Sequence, residues 1–184
     1  FLGMLGMHGT YQANMAMHNS DLIIAIGARF DDRITNTPKL FAPNAKIIHF
    51  DVDHSSVSKI IEANIAVFGQ IKNSLRALIN EIKSANKEYD INQIESWRNE
   101  IKLWKEQHGL NHDLYLSEND DAEILPQQVV QHAYHLTNGN AYVTSDVGQH
   151  QMFAAQYYHF DEPRKWINSG GLGTMGFGLP AAMG

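Results

Sequence analysis

The sequence contains no cysteine, and this absence removes several kinds of chemistry. Disulfide bridges, thiolate nucleophiles and cysteine-ligated zinc sites are excluded within these residues, and a reducing compartment is permitted. No apolar run approaches the roughly 18–20 residues that a membrane-spanning helix needs. Positive charge is also scarce, because 14 Lys and Arg stand against 20 Asp and Glu, for a net charge of −6. Nucleic acid is therefore not expected as the main partner, since duplex binding requires a basic surface.

Apolar runs alternate with helical patterns in the first half of the chain. Residues 21–27, 46–53 and 65–69 are continuous apolar runs that end in glycine or carboxylates, a pattern typical of parallel strands buried on both faces. Residues 71–82 have apolar side chains at helical spacing. Strands alternating with helices predict a doubly wound, Rossmann-like α/β domain over about residues 1–85.

The chain then becomes polar before the strand and helix pattern starts again. Isoleucines and tryptophans from Ile94 to Trp104 keep helical spacing and predict one long surface helix, and residues 111–121 are interpreted as a linker. A helix is expected from Pro126 to about Leu136, since proline fits a first helical turn. Strands are expected at 141–146 and 166–168, which would open a second α/β domain.

Glycine is concentrated close to the C-terminus. Five glycines fall within nine positions, at Gly170, Gly171, Gly173, Gly176 and Gly178. Such a turn brings bare backbone and a helix N-terminus against a phosphate or a flat cofactor ring. The chain begins at Phe1 and stops within an element at Gly184, so we expect it to be a piece of a longer enzyme with an incomplete second domain.

Three segments of the first half fall at expected strand ends, where open α/β sheets bind ligands. They are the glycine-flanked loop 5–9, the segment 27–33 and the carboxylates of 51–53. A strand-end carboxylate can accept hydrogen bonds from ribose, and an arginine can bind a diphosphate, so these segments predict a dinucleotide site. The alternative is a surface ion-pair cluster of Arg29, Asp31, Asp32 and Arg33. No Gly-x-Gly-x-x-Gly or Walker loop follows a strand here, which disfavours an ordinary NAD site.

Two further loops are expected at neighbouring strand ends of the second half, at 148–151 and 170–178. Gln149 and His150 could hydrogen-bond phosphate oxygens, and Met175 could support a ring from beneath. The alternatives are a capping role for His150 and a core position for Met175. His132 and His135 share a helical face that we interpret as solvated rather than as a metal site.

Five motifs in register resemble one enzyme family along essentially the whole chain. In order they are Leu5-Gly-Met-His-Gly9, Gly27-Ala-Arg-Phe-Asp-Asp-Arg33, His49-Phe-Asp-Val-Asp53, Gly148-Gln-His-Gln-Met152 and Ser169-Gly-Gly-Leu-Gly-Thr-Met-Gly-Phe-Gly-Leu-Pro-Ala-Ala182. The sequence resembles an internal fragment of the large, catalytic subunits of acetolactate synthase (acetohydroxyacid synthase), which depend on thiamine diphosphate. The resemblance implies the later part of an FAD-binding central domain (1–85), a helical linker (86–122) and the start of a thiamine-diphosphate-binding domain (123–184).

The resemblance also implies roles for particular residues. The residues expected to bind FAD are Leu5, Gly6, Met7, His8, Gly27, Ala28, Arg29, Phe30 and Asp31, with Asp51 and Val52 on its ribose-adenine half. Gln70 and Ile71 fall where the family closes the adenine pocket, although Gln70 replaces the aspartate often found there. Asp32 and Arg33 are expected to face the substrate channel. The residues expected to contact thiamine diphosphate are Gln149, His150, Gly173 and Met175.

The family's activity would be the condensation of two pyruvates, or of pyruvate and 2-oxobutyrate, to acetohydroxyacids with release of CO2 in branched-chain amino-acid biosynthesis. FAD would be structural, and the parent would be a cytoplasmic homo-oligomer, a dimer or tetramer, open to a regulatory small subunit. The family's cofactor-activating glutamate and its magnesium-binding Gly-Asp-Gly motif are absent from this sequence. The Mg2+ ligands are therefore expected outside this chain, no catalytic residue is assigned within it, and the fragment alone is expected to be inactive.

Three other interpretations remain open from the sequence. A flavin or nicotinamide oxidoreductase would also need an α/β dinucleotide domain, but it leaves the loops 148–151 and 170–178 unexplained. Another thiamine-dependent decarboxylase or carboligase, such as a pyruvate oxidase, is closer, and the segment 29–33 together with His8 disfavours it. The third is a non-enzymatic assembly or regulatory module.

Overall fold

The computed structural model describes residues 1–85, 88–112, 114 and 123–184, which form two parallel sheets with helices beside them. The strands are β1 (Leu22–Ile26), β2 (Lys46–Asp51), β3 (Ile65–Phe68), β4 (Val143–Ser145) and β5 (Trp166–Asn168). The helices are α1 (Tyr11–Asn19), α2 (Asp32–Thr35), α3 (Ile71–Ser84), α4 (Ile91–His108), α5 (Pro126–Thr137), α6 (Gln149–Tyr157) and α7 (Gly178–Met183), with a 3-10 turn at Pro38–Leu40. The predicted α/β class is confirmed.

The first sheet has the order β1-β2-β3 with every pair parallel. Its hydrogen-bonding continues just past the strands, because the Gly27 N–H donates to Phe50 O (2.8 Å) and the Gly69 N–H donates to Asp51 O (3.1 Å). Parallel strands bring their carboxyl ends to one edge, so the loops that follow them are neighbours in space. This edge holds most of the residues that the sequence assigned to a nucleotide site.

The prediction that β1 and β3 are buried on both faces is wrong. In β3, Ile65 and Phe68 are exposed and no residue is fully buried. Leu22, Ile24 and Ile26 are exposed, whereas Ala25 on the opposite face is buried in a core with Phe30 and other apolar side chains. β1 is an edge strand, and its apolar sequence does not show whether a helix covers its outer face. In the central strand β2, by contrast, buried side chains point to both faces of the sheet.

The long helix expected in the polar region is α4, which packs against α1. The rings of Tyr11 and His108 lie 4.4 Å apart at this contact. Asp90 caps α4 by accepting hydrogen bonds from two backbone N–H groups of its first turn. The linker expected at 111–121 lies, apart from residues 111, 112 and 114, outside the described residues. Among the described helices, none combines the length and the apolar character needed to cross a membrane.

The second sheet pairs β4 with β5 in parallel, which confirms the strand predicted at 166–168 at its predicted length and the strand predicted at 141–146 at a shorter length. α5 begins at Pro126 as expected and ends at Thr137, because the left-handed backbone of the next residue, Asn138 (φ 48°), stops the helix. The loop expected at 148–151 is shorter than predicted, because Gly148 is the N-cap of α6 and the helix already begins at Gln149. α6 packs on α5, and α7 packs on β4. The glycine-rich segment 170–177 connects β5 to α7.

Candidate functional site

The loop before α1 is fixed by hydrogen bonds to that helix and to the segment after β1. Gly6 exchanges two hydrogen bonds with the side chain of Asn14, at 2.8 and 2.9 Å. The Met7 N–H donates to Arg33 O at 2.9 Å. These contacts bring together two segments that the sequence predicted as parts of one site, although 26 positions separate Met7 from Arg33.

Gly6 is required for this close approach. Its φ is +91°, and a Cβ at this position would collide with the carbonyl oxygen of Arg33. A residue with a side chain would therefore be strained by its own backbone and would also push the two segments apart.

The segment after β1 turns sharply and then begins α2. Gly27 has φ +59°, and a Cβ built on it would meet nothing within 4 Å, so its backbone is open to a ligand. Phe30 has φ 52°, and its ring packs edge-on against Phe41 and against His49 at 5.2 Å. The structure therefore places the Phe30 side chain in the core and leaves its backbone for any ligand contact.

The charged residues of this segment form two ion pairs. Arg29 lies 3.1 Å from the Asp31 carboxylate, and Arg33 lies 4.0 Å from Asp32. The Arg33 guanidinium also approaches the Met7 sulfur at 3.9 Å. The surface ion-pair cluster that the sequence allowed as an alternative to a ligand site is thus present. The same four residues also line a cavity described below, so the ion pairs do not exclude a ligand site.

Asp146, at the end of β4, holds the glycine-rich turn in place. Its carboxylate accepts hydrogen bonds from the backbone N–H groups of Val147 (2.8 Å) and Gly176 (2.6 Å). These bonds, the Val147 bond above all, lower the pKa of Asp146, and the Phe177 N–H and the nearby His150 lower it further. Sequence reasoning missed Asp146, although a carboxylate at a strand end was the available signal.

The glycine-rich turn exposes its backbone. Gly173 donates from its N–H to Ser169 O at 2.9 Å, and the Thr174 N–H donates to Ser169 Oγ at 3.0 Å. Cβ atoms built on Gly171, Gly173 and Gly176 would meet nothing within 4 Å. Met175 is 78% exposed, so the alternative that it belongs to the core is wrong. Open backbone beside a soft apolar side chain suits a cofactor with a diphosphate and a ring.

A cavity of about 960 Å³ joins the two halves of the chain. The predicted site residues that line it are Leu5, Met7, His8, Arg29, Asp31, Asp32, Arg33 and Gly173. Gln151, Met152, Trp166 and Asn168 also line it and were not predicted as site residues. The Gln156 side chain donates to His8 O at 3.2 Å, which links α6 to the first loop. The volume lies at the upper end of the range of small-molecule sites.

The remaining predicted residues lie elsewhere. Gln149 and His150 are exposed in the first turn of α6, and neither lines this cavity. Asp51 ends β2 and Val52 follows it, whereas Gln70 and Ile71 follow β3, and Gln70 occupies the N-cap position of α3. His132 and His135 are both exposed, as expected for a solvated helix face.

A second cavity, of about 620 Å³, shares Met7, Asp32, Arg33 and Ile34 with the first. It continues along Met15, Met17 and His18 of α1, and sequence reasoning did not anticipate it. The segment around Arg33 therefore has accessible space toward α1 as well as toward the glycine-rich turn.

Comparison with known families assigns the first and last parts of the chain to two different domains. Residues 1–78 match the family model "Thiamine pyrophosphate enzyme, central domain", and residues 146–184 match "Thiamine pyrophosphate enzyme, C-terminal TPP binding domain". The exposed glycine turn and the first turn of α6 both fall in the second match. The chain therefore belongs to the thiamine pyrophosphate enzymes.

Within this class, the chain is similar along its whole length to acetolactate synthase large subunits. It is 50% identical over 183 residues to the acetolactate synthase isozyme 3 large subunit of Escherichia coli and 55% identical over 189 residues to the acetolactate synthase large subunit of Haemophilus influenzae. It is 42% identical over 183 residues to the chloroplastic acetolactate synthase of Arabidopsis thaliana. Each match covers all of this chain, but the chain spans about 31% of the length of the two bacterial relatives and 26% of the plant one.

Proposed function

We propose that this chain contributes a flavin-nucleotide crevice and part of a thiamine diphosphate site to an enzyme that condenses 2-oxo acids into acetohydroxyacids. The observation that carries the proposal is the cavity in which the charged segment 29–33 meets the glycine-rich turn. A substrate placed there would reach both an arginine and the exposed turn. The names and matched domains of the relatives support the same assignment.

The proposed substrates are two pyruvates, or pyruvate and 2-oxobutyrate. Their carboxylates suit the Arg33 guanidinium, because a planar fork of N–H donors matches a carboxylate and orients it. The Arg33 side chain is 69% exposed and lies at the cavity wall, so it is free to rearrange onto a ligand. Asp32 beside it would help to keep the guanidinium at the wall.

The proposed thiamine diphosphate site uses the residues around Asp146. Gly173 and Gly176 present open backbone, Met175 presents an exposed apolar side chain, and Gln149 and His150 present polar groups at the first turn of α6. Thiamine diphosphate supplies an electron sink after decarboxylation, a role that no side chain fills. This chain's own residues would bind and orient it and would exclude water on one side.

The proposed flavin is FAD in a structural role. Its diphosphate would approach the open backbone at Gly27, and Asp51 at the end of β2 would accept hydrogen bonds from ribose, the arrangement typical of nucleotide-binding α/β sheets. Magnesium is part of the proposal as well. Because the sequence contains no Gly-Asp-Gly motif, its ligands would come from outside these residues.

The larger organisation is also proposed. The division into residues 1–85, 86–122 and 123–184 is supported by the two separate sheets and by the two family matches. The exposed apolar side chains Leu22, Ile24 and Ile26 support burial against further protein in a homo-oligomer. A cytoplasmic location and a regulatory small subunit rest on the resemblance to the family.

An activity assay tests the proposal. The intact protein, supplied with pyruvate, thiamine diphosphate, Mg2+ and FAD, is expected to form acetolactate and CO2, whereas the 184-residue chain alone forms none. Arg33→Ala is expected to lower kcat/KM by about 10- to 100-fold, the effect of losing a hydrogen bond to a charged group. Arg98→Ala on α4, which removes an equally exposed arginine paired with Glu95, should leave the rate unchanged. Rapid flavin reduction by NADH without acetolactate would instead indicate an oxidoreductase.

A further inference from the structure

Two aromatic rings stack at the carboxyl edge of the first sheet. The ring centroids of His54 and Phe68 are 3.9 Å apart, and the two planes are inclined by 5°. Phe68 is the last residue of β3, and His54 lies three positions beyond the end of β2. None of the roles inferred above uses either residue.

The register places this stack beside Asp51. Asp51 pairs with Phe68 across the parallel strands, so both side chains leave the same face of the sheet. The Asp51 carboxylate, which is proposed above to bind a ribose, therefore has the Phe68 ring as its immediate neighbour on β3, and His54 covers part of that ring.

The turn that carries His54 is held by its own hydrogen bonds. The Asp53 carboxylate accepts bonds from the Ser55 N–H and the Ser55 hydroxyl, both at 2.8 Å, and from the Ser56 hydroxyl at 3.2 Å. The Asp53 N–H in turn donates to Asp51 Oδ1 at 2.8 Å. These bonds order the residues on both sides of His54, so its ring is presented to the edge with little freedom to lose on binding a ligand.

The stack keeps free aromatic surface. Phe68 is 44% exposed despite its contact with His54, His54 is itself exposed, and Val52 beside them is 62% exposed. An ordered, flat, apolar surface next to a carboxylate suits a ligand that has a flat ring joined to a hydroxyl-bearing sugar. Nucleobases stack on such side chains because every base has a π-face.

We propose that His54 and Phe68 form the stacking surface for the base of a nucleoside diphosphate whose ribose binds Asp51. The order along the sheet edge supports this, since the open glycine follows β1, the carboxylate ends β2 and the stack lies between β2 and β3. Nucleotide-binding α/β sheets arrange diphosphate, ribose and base in that sequence. The inference rests on the proposed function for the identity of the nucleotide, either a free nucleoside diphosphate or the ADP half of FAD.

Calorimetric titrations with ADP, FAD and FMN test the inference on the intact protein after its flavin has been removed. FMN carries the flavin ring and one phosphate but no adenosine, so it does not reach the stack. His54→Ala and Phe68→Ala are each expected to weaken ADP and FAD binding by roughly 5- to 100-fold, as for loss of a base stack, while FMN affinity stays within about twofold. His54→Phe keeps a flat ring and should restore most of the affinity. His132→Ala, an exposed histidine on α5, is the matched control and should change none of the three.

The outcomes separate this inference from the flavin assignment. Normal FAD and ADP binding by His54→Ala, tighter ADP binding, or an equal loss of FMN would overturn the stacking role while leaving the flavin assignment in place. ADP binding that depends on His54 without any FAD binding would support the stack and contradict the flavin. Binding of neither ADP nor FAD by the unmodified protein would overturn both.

Discussion

The Asp146 carboxylate accepts a hydrogen bond at 2.6 Å from the backbone N–H of Gly176, 30 positions further along the chain. The bond joins the end of β4 to the glycine-rich turn, which otherwise is stabilised by contacts to Ser169. Since a glycine-rich segment has a large conformational entropy to lose, a single charged acceptor can decide whether the turn is ordered.

Removal of this acceptor should loosen the turn. Asp146→Ala is expected to accelerate amide hydrogen exchange at Gly176 several-fold, and Asp146→Asn should have a smaller effect because its side-chain oxygen still accepts a hydrogen bond. Asp161→Ala, an exposed carboxylate outside the turn, serves as the control. Unchanged exchange at Gly176 in Asp146→Ala would show that other contacts order the turn.

The same contact should depend on pH. The N–H groups of Val147, Gly176 and Phe177 hold the pKa of Asp146 below its usual 3.8. A depressed carboxyl pKa means that the stabilisation is present above the unfolded-state pKa and is lost as pH falls through the lower, folded-state pKa. The Gly176 amide resonance is therefore expected to titrate with a midpoint below 3.8. A midpoint at or above that value would contradict the contact.

Gly6 and Gly171 should respond differently to the same substitution. Gly6→Ala introduces a Cβ against Arg33 O at φ +91° and is expected to lower the free energy of unfolding by about 1–3 kcal/mol. Gly171→Ala, where a Cβ meets nothing within 4 Å, should change it by less than about 0.5 kcal/mol. Urea denaturation measures both, and equal losses would mean that the loop around Gly6 does not pack on Arg33.

His49 is fully buried, and neither ring nitrogen has a hydrogen-bond partner among the described residues. The nearest charged group is the Asp51 carboxylate, at 3.7 Å. Because an unsatisfied buried polar group costs free energy, His49→Leu is expected to leave the free energy of unfolding within about 1 kcal/mol of the original or to raise it. His49→Ala should lower it by about 2–4 kcal/mol through the cavity it creates.

Chemical denaturation of the two His49 variants decides between packing and polar contacts. If Leu destabilised the protein as much as Ala does, the imidazole would be making an essential polar interaction with Asp51. The close edge-on contact of His49 with Phe30 supports the packing role.

The sequence was sufficient to locate the five strands and the helices α3, α4 and α5. Apolar runs that end near Gly27 and Asp51 located β1 and β2, and Pro126 marked the start of α5, because these signals act within a few residues. The segment 27–33 was recognised from its position after a strand, since the carboxyl ends of parallel strands form the ligand edge.

Features that depend on distant partners were not predicted. The exposure of Ile24 depends on whether a helix covers the edge strand, and an apolar sequence does not show whether such a helix is present. Asp146 and Gln156 act through bonds to Gly176 and His8, over 30 and 148 positions. The position of Asp146 after a strand marks it only as a candidate ligand group, and nothing in the local sequence of Gln156 marks its role. Trp166 was recognised as a strand residue, but its place in the cavity wall follows from how β5 meets the first loop.

The central claim is that the loop 5–9 and helix α6 together close one cavity. Because the sequence has no cysteine, a double variant with His8→Cys and Gln156→Cys contains only the two thiols placed at the observed contact. We predict rapid intramolecular cross-linking by a short bis-maleimide, detected by mass spectrometry of the peptide pair, with no such product from either single variant. Efficient labelling of both cysteines without any intramolecular cross-link would contradict the claim.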